Sequence, residues 1–260
     1  MPLLSGVTHL RRAARQSMRR CSSPGADGLT WAGYRQGLDD RLADLSARLR
    51  DGTWSPGPLR VVTAIAFTGK EMRIVIPTVE DRIVHRAMRN AIEPVLEAEA
   101  FAGFASGYRP GRNRLTSVAQ AARWIESGCC WIADVDVKAV SRGATAGEVV
   151  DWLRPWVSDG TFLRRVRTAL ADLPEPIVPG TGLAPLLINL RLVRVDQRLA
   201  HLRVVRFCDN YCIFASTQAE AEEAFAAAAS ALRTAGLSPS ESKSRVHGVM
   251  NPEDLFLIAG

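Results

Sequence analysis

Two carboxylates of this 260-residue chain stand where paired strands would bring them together. Asp136 lies near the end of the β-branched run Trp131-Ile-Ala-Asp-Val-Asp-Val, a predicted strand. Asp209 follows seventy-three residues later, in the turn between the apolar runs Val204 to Phe207 and Tyr211 to Ala215, which predict a hairpin. Carboxylates from neighbouring strands that project into one cleft suit nucleotidyl transfer, where two Mg²⁺ or Mn²⁺ ions sit about 4 Å apart. One ion activates a primer 3′-hydroxyl; the other neutralises the triphosphate and the leaving pyrophosphate. Strand-end aspartates also cap turns, and spacing alone does not separate the two roles.

Those strands need a scaffold. The first twenty residues read as a basic amphipathic helix, followed by a turn-rich segment from Cys21 to Gly28. Trp31 to Leu49 has helical spacing, with Leu38, Leu42, Leu45 and Leu49 on one face. Short apolar runs at Arg60–Ile65 and Arg73–Ile76 flank a Gly69-Lys70 turn and predict a second hairpin. Helices are expected over 79–99 and 115–125, with a loop at 103–113 between them. Beyond the first strand come helices at 147–156, 162–173 and 184–201, the 204–215 hairpin, and an Ala/Glu helix over 217–235 closed by Gly236. The order of helices, hairpin, helices, then strand-helix-strand-strand-helix-strand predicts an α+β fold with a small antiparallel sheet packed on helices.

Lys plus Arg outnumber Asp plus Glu by 33 to 27, and lysine occurs only at Lys70, Lys138 and Lys243. An arginine-rich surface suits phosphate backbones, because guanidinium forks hold phosphate oxygens bidentately; arginine standing in for lysine through base composition would look the same. Cys21, Cys129, Cys130, Cys208 and Cys212 form no CxxC pair and no zinc-finger spacing with histidine. Nothing points to disulfides, so a reducing cytoplasm is expected. No apolar run approaches the ~20 residues of a membrane span, and no membrane partner is expected.

Several segments carry a family resemblance, and they occur in that family's order. Ser22-Ser-Pro-Gly-Ala-Asp-Gly-Leu-Thr resembles the opening of group II intron reverse transcriptases. Gly69-Lys-Glu-Met-Arg-Ile-Val-Ile-Pro-Thr-Val-Glu-Asp-Arg is similar to their fingers hairpin and following helix, and Gly107-Tyr-Arg-Pro-Gly-Arg-Asn to the next loop. Asp134-Val-Asp-Val-Lys resembles the first catalytic strand, Gly182-Leu-Ala-Pro-Leu-Leu-Ile-Asn-Leu the helix beneath the incoming nucleotide, and Arg206-Phe-Cys-Asp-Asn the Tyr-Ala-Asp-Asp hairpin. Glu241-Ser-Lys-Ser resembles the lysine motif, and Phe256-Leu-Ile-Ala-Gly the final palm strand.

The resemblance implies a right-hand polymerase of reverse-transcriptase type, with a basic N-terminal helix at 1–21 and interleaved fingers (about 22–125) and palm (about 126–260). It implies RNA or DNA primer-template and nucleoside triphosphates as ligands. Asp136 and Asp209 would hold the metals, with Asn210 and Asp134 as further candidate ligands; strand alternation puts Asp134 on the face of Asp136. Arg73 would meet the triphosphate, and Lys70 phosphate or template. Arg109 and Arg112 would clamp template or nucleotide, Gly182 would lie under the nucleotide, and Lys243 would assist the leaving pyrophosphate. Arg82 reads better as a helix ion pair.

Departures keep a second reading open. Asn210 stands where the family carries a second aspartate, removing one charge from the metal site. Arg142-Gly143 stands where an Asp and a polar residue are expected, and the Pro-Gln-Gly turn has become Pro179-Gly180-Thr181-Gly182. No thumb is expected within the 260 residues, so a partner chain or oligomer would supply one. The alternative to an RNA-directed DNA polymerase is therefore an inactive module that binds nucleic acid or protein. Ser141 occupies the position of the aromatic residue that excludes a 2′-hydroxyl. The expected outcome is similar kcat/KM for ribo- and deoxyribonucleoside triphosphates in single-nucleotide incorporation; a strong deoxy preference would refute this.

Overall fold

The computed structural model describes residues 2–19, 22–65, 69 and 71–255. Lys70 and the expected strand at 256–260 lie outside them, as does Cys21. The chain divides into two compact units, 1–99 with 141–187 and 100–140 with 188–260.

In the first unit the basic N-terminal segment forms α1 (Pro2–Ser5) and α2 (Val7–Met18), interrupted at Gly6. Leu10, Ala13 and Ala14 bury one face of α2, and Arg12, Arg15 and Arg19 stay exposed. The expected helix at 31–49 is likewise two, α3 (Trp31–Arg35) and α4 (Leu38–Asp51), because Gly37 turns left-handed at φ 70°. Leu42, Leu45 and Leu49 are buried on α4 as their spacing requires. The first hairpin pairs β1 (Arg60–Ile65) with β2 (Glu71–Ile76) in antiparallel register, Thr63 opposite Arg73. It is followed by α5 (Val79–Glu99).

Asp81 anchors the start of α5. Its carboxylate accepts from the Gly57 amide at 3.1 Å and the Thr78 hydroxyl at 2.7 Å. Arg82 bonds the carbonyls of Pro77 and Ser23 at 2.9 and 2.8 Å and lies over the Trp31 ring, so it braces backbone; the ion pair expected for it gives way to main-chain acceptors that lie closer. The unit also contains α7 (Ala146–Leu153) and α8 (Gly160–Ala171), each opened by a side-chain cap, from Thr145 and Asp159.

The second unit is built on a five-stranded sheet of order β3-β5-β6-β4-β7. Its members are β3 (Ala105–Ser106), β4 (Trp131–Asp136), β5 (Arg203–Phe207), β6 (Asn210–Ala215) and β7 (Arg245–Gly248). All pairs are antiparallel except β3 with β5. β3 arises inside the expected 103–113 loop, and β7 is a strand the periodicity did not announce.

Burial on both faces explains the near-continuous apolar run of β4. Ala133, Val135 and Val137 pack with Tyr211 and Ile213 against α9 (Ala184–Leu199) and α10 (Gln218–Arg233), through Leu192, Val195, Ala228 and Leu232. Ile132, Cys212 and Phe214 pack on the other side against Ala121 of α6 (Arg114–Glu126) and Leu255. Each large apolar side chain so buried contributes about 1.5–3 kcal/mol. The mixed α+β class, with small sheets packed on helices, is thus what the chain adopts. Among the described residues no helix is long and apolar enough to cross a membrane.

His85 on α5 is fully buried, and neither ring nitrogen reaches a hydrogen-bond partner. Burial pushes its imidazolium down to about 4 from 6.5, against a small opposing pull of the Ala169 carbonyl. The unfolded chain takes up a proton near 6.5 and the folded chain near 4, so between those values the unfolded state binds more protons. Stability is whole above pH 6.5 and falls as pH drops towards 4, by roughly 3 kcal/mol in total. Denaturant midpoints measured from pH 7 to 4 should fall more steeply for wild type than for His85→Leu; parallel curves would refute this.

Candidate functional site

The register of β4 against the β5–β6 hairpin sets the site. Asp136 lies opposite Asn210, and Val135 opposite Tyr211. The turn between β5 and β6 is Cys208-Asp209, with Cys208 left-handed at φ 55°. The amide of Val137 donates to the Asp209 carbonyl at 3.1 Å, fastening the turn to the residue after Asp136. Burial raises the Asp209 carboxyl above the usual range, and the negative charge of Asp136 adds to the rise while Lys243 opposes it. The register thus puts Asp136 opposite the residue that follows Asp209.

Asp136 is held at both backbone ends. Its amide donates to the Ser244 hydroxyl at 3.1 Å, and its carbonyl accepts from the Ser240 amide at 2.8 Å and from Ser244 Oγ at 3.3 Å. The same turn brings Lys243 Nζ to 3.5 Å from Asp136 Oδ2. Lys243 is exposed, so this pair adds little to stability and leaves the ammonium available.

Asn210 and Asp134 form a separate couple. Asn210 Nδ2 donates to Asp134 Oδ1 at 3.0 Å, and the Asn210 amide oxygen accepts from Cys212 Sγ at 3.5 Å. His247 Nε2 lies 3.9 Å from Asp134 Oδ2. Burial raises the Asp134 carboxyl, with the Asn210 bond acting against that. An amide at 210 can donate to Asp134, which a second carboxylate there could not do without a proton.

Beneath the turn is a buried network. Arg206, fully buried on β5, donates from Nε and Nη2 to the two Asp196 oxygens at 2.9 and 2.7 Å. Its Nη1 donates to Asn189 Oδ1 at 2.9 Å and to the Cys208 carbonyl at 2.6 Å. Tyr211 Oη donates to Asp196 at 2.8 Å. Arg191, also on α9, donates to the Val140 carbonyl at 2.7 Å, steadying the segment after Asp136. Asp196 stands between Arg194 and Arg198, and Arg206 opens the hairpin motif three residues after Arg203, so nothing in the sequence marks the two as a buried pair.

The remaining expected residues divide between the units. Arg109 is buried; its guanidinium donates to the carbonyls of Ala102 and Ala105 at 2.6 and 2.7 Å and lies over the Phe101 ring. Arg112 donates to the Gly103 carbonyl at 2.5 Å. Both brace the loop that carries them. In the first unit Arg73 is exposed on β2, and Gly182 packs against His85. Two residues from Arg73, the Val75 amide donates to the Pro179 carbonyl at 2.9 Å, joining the hairpin to the glycine-rich turn. Ser141 also belongs to this unit and is half-buried.

No family model matches the chain. It is 29% identical over 217 residues to Protein YkfC of Escherichia coli strain K12, a match covering 76% of this chain and 56% of that protein. It is 29% identical over 101 residues to the Group II intron-encoded protein LtrA of Lactococcus lactis subsp. cremoris, covering 38% of this chain and 16% of LtrA. The matched region thus spans just over half of one relative and a small part of the other.

Removing one partner of the Arg206–Asp196 pair leaves an uncompensated buried charge, which costs about 3–5 kcal/mol. Asp196→Ala and Arg206→Ala should each lower the denaturation free energy by that amount, and Arg206→Lys should not rescue it, since ammonium lacks the fork. A loss below about 1 kcal/mol in chemical denaturation would refute the role.

Proposed function

We propose that this chain is a reverse-transcriptase-like, template-directed nucleotidyltransferase with fingers and palm, acting on RNA or DNA primer-template and nucleoside triphosphates. The observation that carries this reading is that Asp136 stands opposite Asn210, the residue after Asp209, with the Val137 amide bonded to the Asp209 carbonyl and the Lys243 ammonium beside Asp136. The order of the sequence motifs and the partial similarity to a group II intron-encoded protein support it.

The donor set fits a hard divalent cation. Two facing carboxylates repel, and a cation between them relieves that repulsion. Among the described residues no three His, Cys, Asp or Glu converge on a metal position. Asp136 and Asp209 would therefore hold Mg²⁺ or Mn²⁺, with water and substrate phosphate oxygens completing the shell. When bound, the ions supply Lewis-acid polarisation of the phosphate and acidify the attacking hydroxyl.

The chain's own residues then have these tasks. The Ser240–Ser244 turn fixes the backbone of Asp136, so its carboxylate is presented without reorganisation. The 3′-oxygen forms a bond to the α-phosphorus as the bond to the pyrophosphate oxygen breaks. Lys243 stabilises the charge that develops on pyrophosphate or passes it a proton. Arg73 contacts the triphosphate. Asn210 is assigned to orienting Asp134, which leaves the metal position to the two aspartates.

The commitment of Asn210 to Asp134 favours one second reading: a chain of this fold that binds nucleic acid without synthesis. Primer extension in Mg²⁺ or Mn²⁺ distinguishes them. Wild type should extend, Asp136→Ala and Asp209→Ala should lose at least about a hundredfold in kcat, and Asn210→Asp should change metal dependence. Absence of wild-type extension, with salt-sensitive binding retained, would establish the second reading.

A further inference from the structure

The loop 103–113 is held on both sides of Tyr108. Before it, the Ser106 carbonyl accepts from the Cys208 amide at 3.1 Å, and the Gly107 carbonyl accepts from Asn189 Nδ2 at 3.1 Å. Gly107 is left-handed at φ 83°, and a Cβ there would lie 2.6 Å from Cys208 Sγ. After it, Arg109 is buried against the loop's own carbonyls. Tyr108 is thereby forced to φ 60°, a region a tyrosine adopts only when its surroundings impose it. Cys208 and Ala139, at φ 55° and 51°, share this conformation, and one precedes Asp209 while the other follows Asp136 by three residues.

The tyrosine so held is not core. The residue is 47% exposed, and Gly107 before it lies against the Cys208 side chain. A left-handed backbone, a braced loop and a half-exposed aromatic ring thus stand beside the Cys208-Asp209 turn.

We propose that Tyr108 is a substrate-contacting residue of this site, its ring stacking on the nucleobase at the strand end that Asp136 and Asp209 serve. This rests on the nucleotidyl-transfer reading. Every base presents a π-face, so such a platform grips a strand end without reading its sequence.

Fluorescein-labelled primer-template oligonucleotides with a single-stranded overhang, on DNA and on RNA templates, test this by anisotropy without divalent metal, alongside thermal melting. Tyr108→Phe should bind within about twofold of wild type, while Tyr108→Ala and Tyr108→Gly should weaken binding about tenfold. Tyr108→Gly should melt at or above the wild-type midpoint, because glycine adopts the left-handed backbone freely. Wild-type affinity in the Ala and Gly variants would overturn the stacking role and leave the nucleotidyl-transfer reading intact. Equal losses in Phe and Ala would overturn it in favour of the hydroxyl, and a parallel fall in melting and binding would overturn it in favour of a structural role. A wild-type chain that binds neither oligonucleotide would overturn both readings together.

Discussion

An arginine and an aspartate taken wholly out of water are stable only when paired and hydrogen-bonded. Arg206 and Asp196 come together through a bidentate fork, with Asn189 and the Cys208 carbonyl accepting from Nη1 and Tyr211 donating to Asp196, so four of the five guanidinium N–H groups have acceptors. The geometry leaves little freedom. The fork fixes β5 against α9, and the spare Nη1 fixes the carbonyl that precedes Asp209. The position of one candidate metal ligand is thereby set from beneath, by a network that touches no substrate.

The other ligand is set from the side. Asp136 is held by backbone bonds to the Ser240–Ser244 turn, and Val137 by its bond to Asp209. One carboxylate ends a strand and the other stands in a turn, yet short main-chain links join their backbones. Geometry of this kind survives changes on the surface because it depends on backbone register, which side-chain drift cannot slip while both sheet faces are buried.

The sequence made the strand, the hairpin and their aspartates legible because β-branched runs bounded by turn residues have few alternatives. It did not reveal β7: Arg245-Val-His-Gly has little apolar content, and pairing with β4 makes it a strand. Splitting of the first helices at Gly6 and Gly37 was hidden because apolar spacing continues across both. Arg109 and Arg112 illustrate a different limit. A loop rich in glycine needs something to satisfy its carbonyls, and nothing in the motif announces that these two arginines do so.

The turn at Gly180 carries a last consequence, for how such a chain can diverge. It sits at φ 106°, and any Cβ there would fall 1.9 Å from the Val75 carbonyl oxygen, while the neighbouring Pro179 accepts the Val75 amide. Position 180 is closed to the other nineteen residue types unless β2 moves. The hairpin and the turn are thus heritable as a pair, so exchange of one segment between related chains would succeed only when the other travels with it.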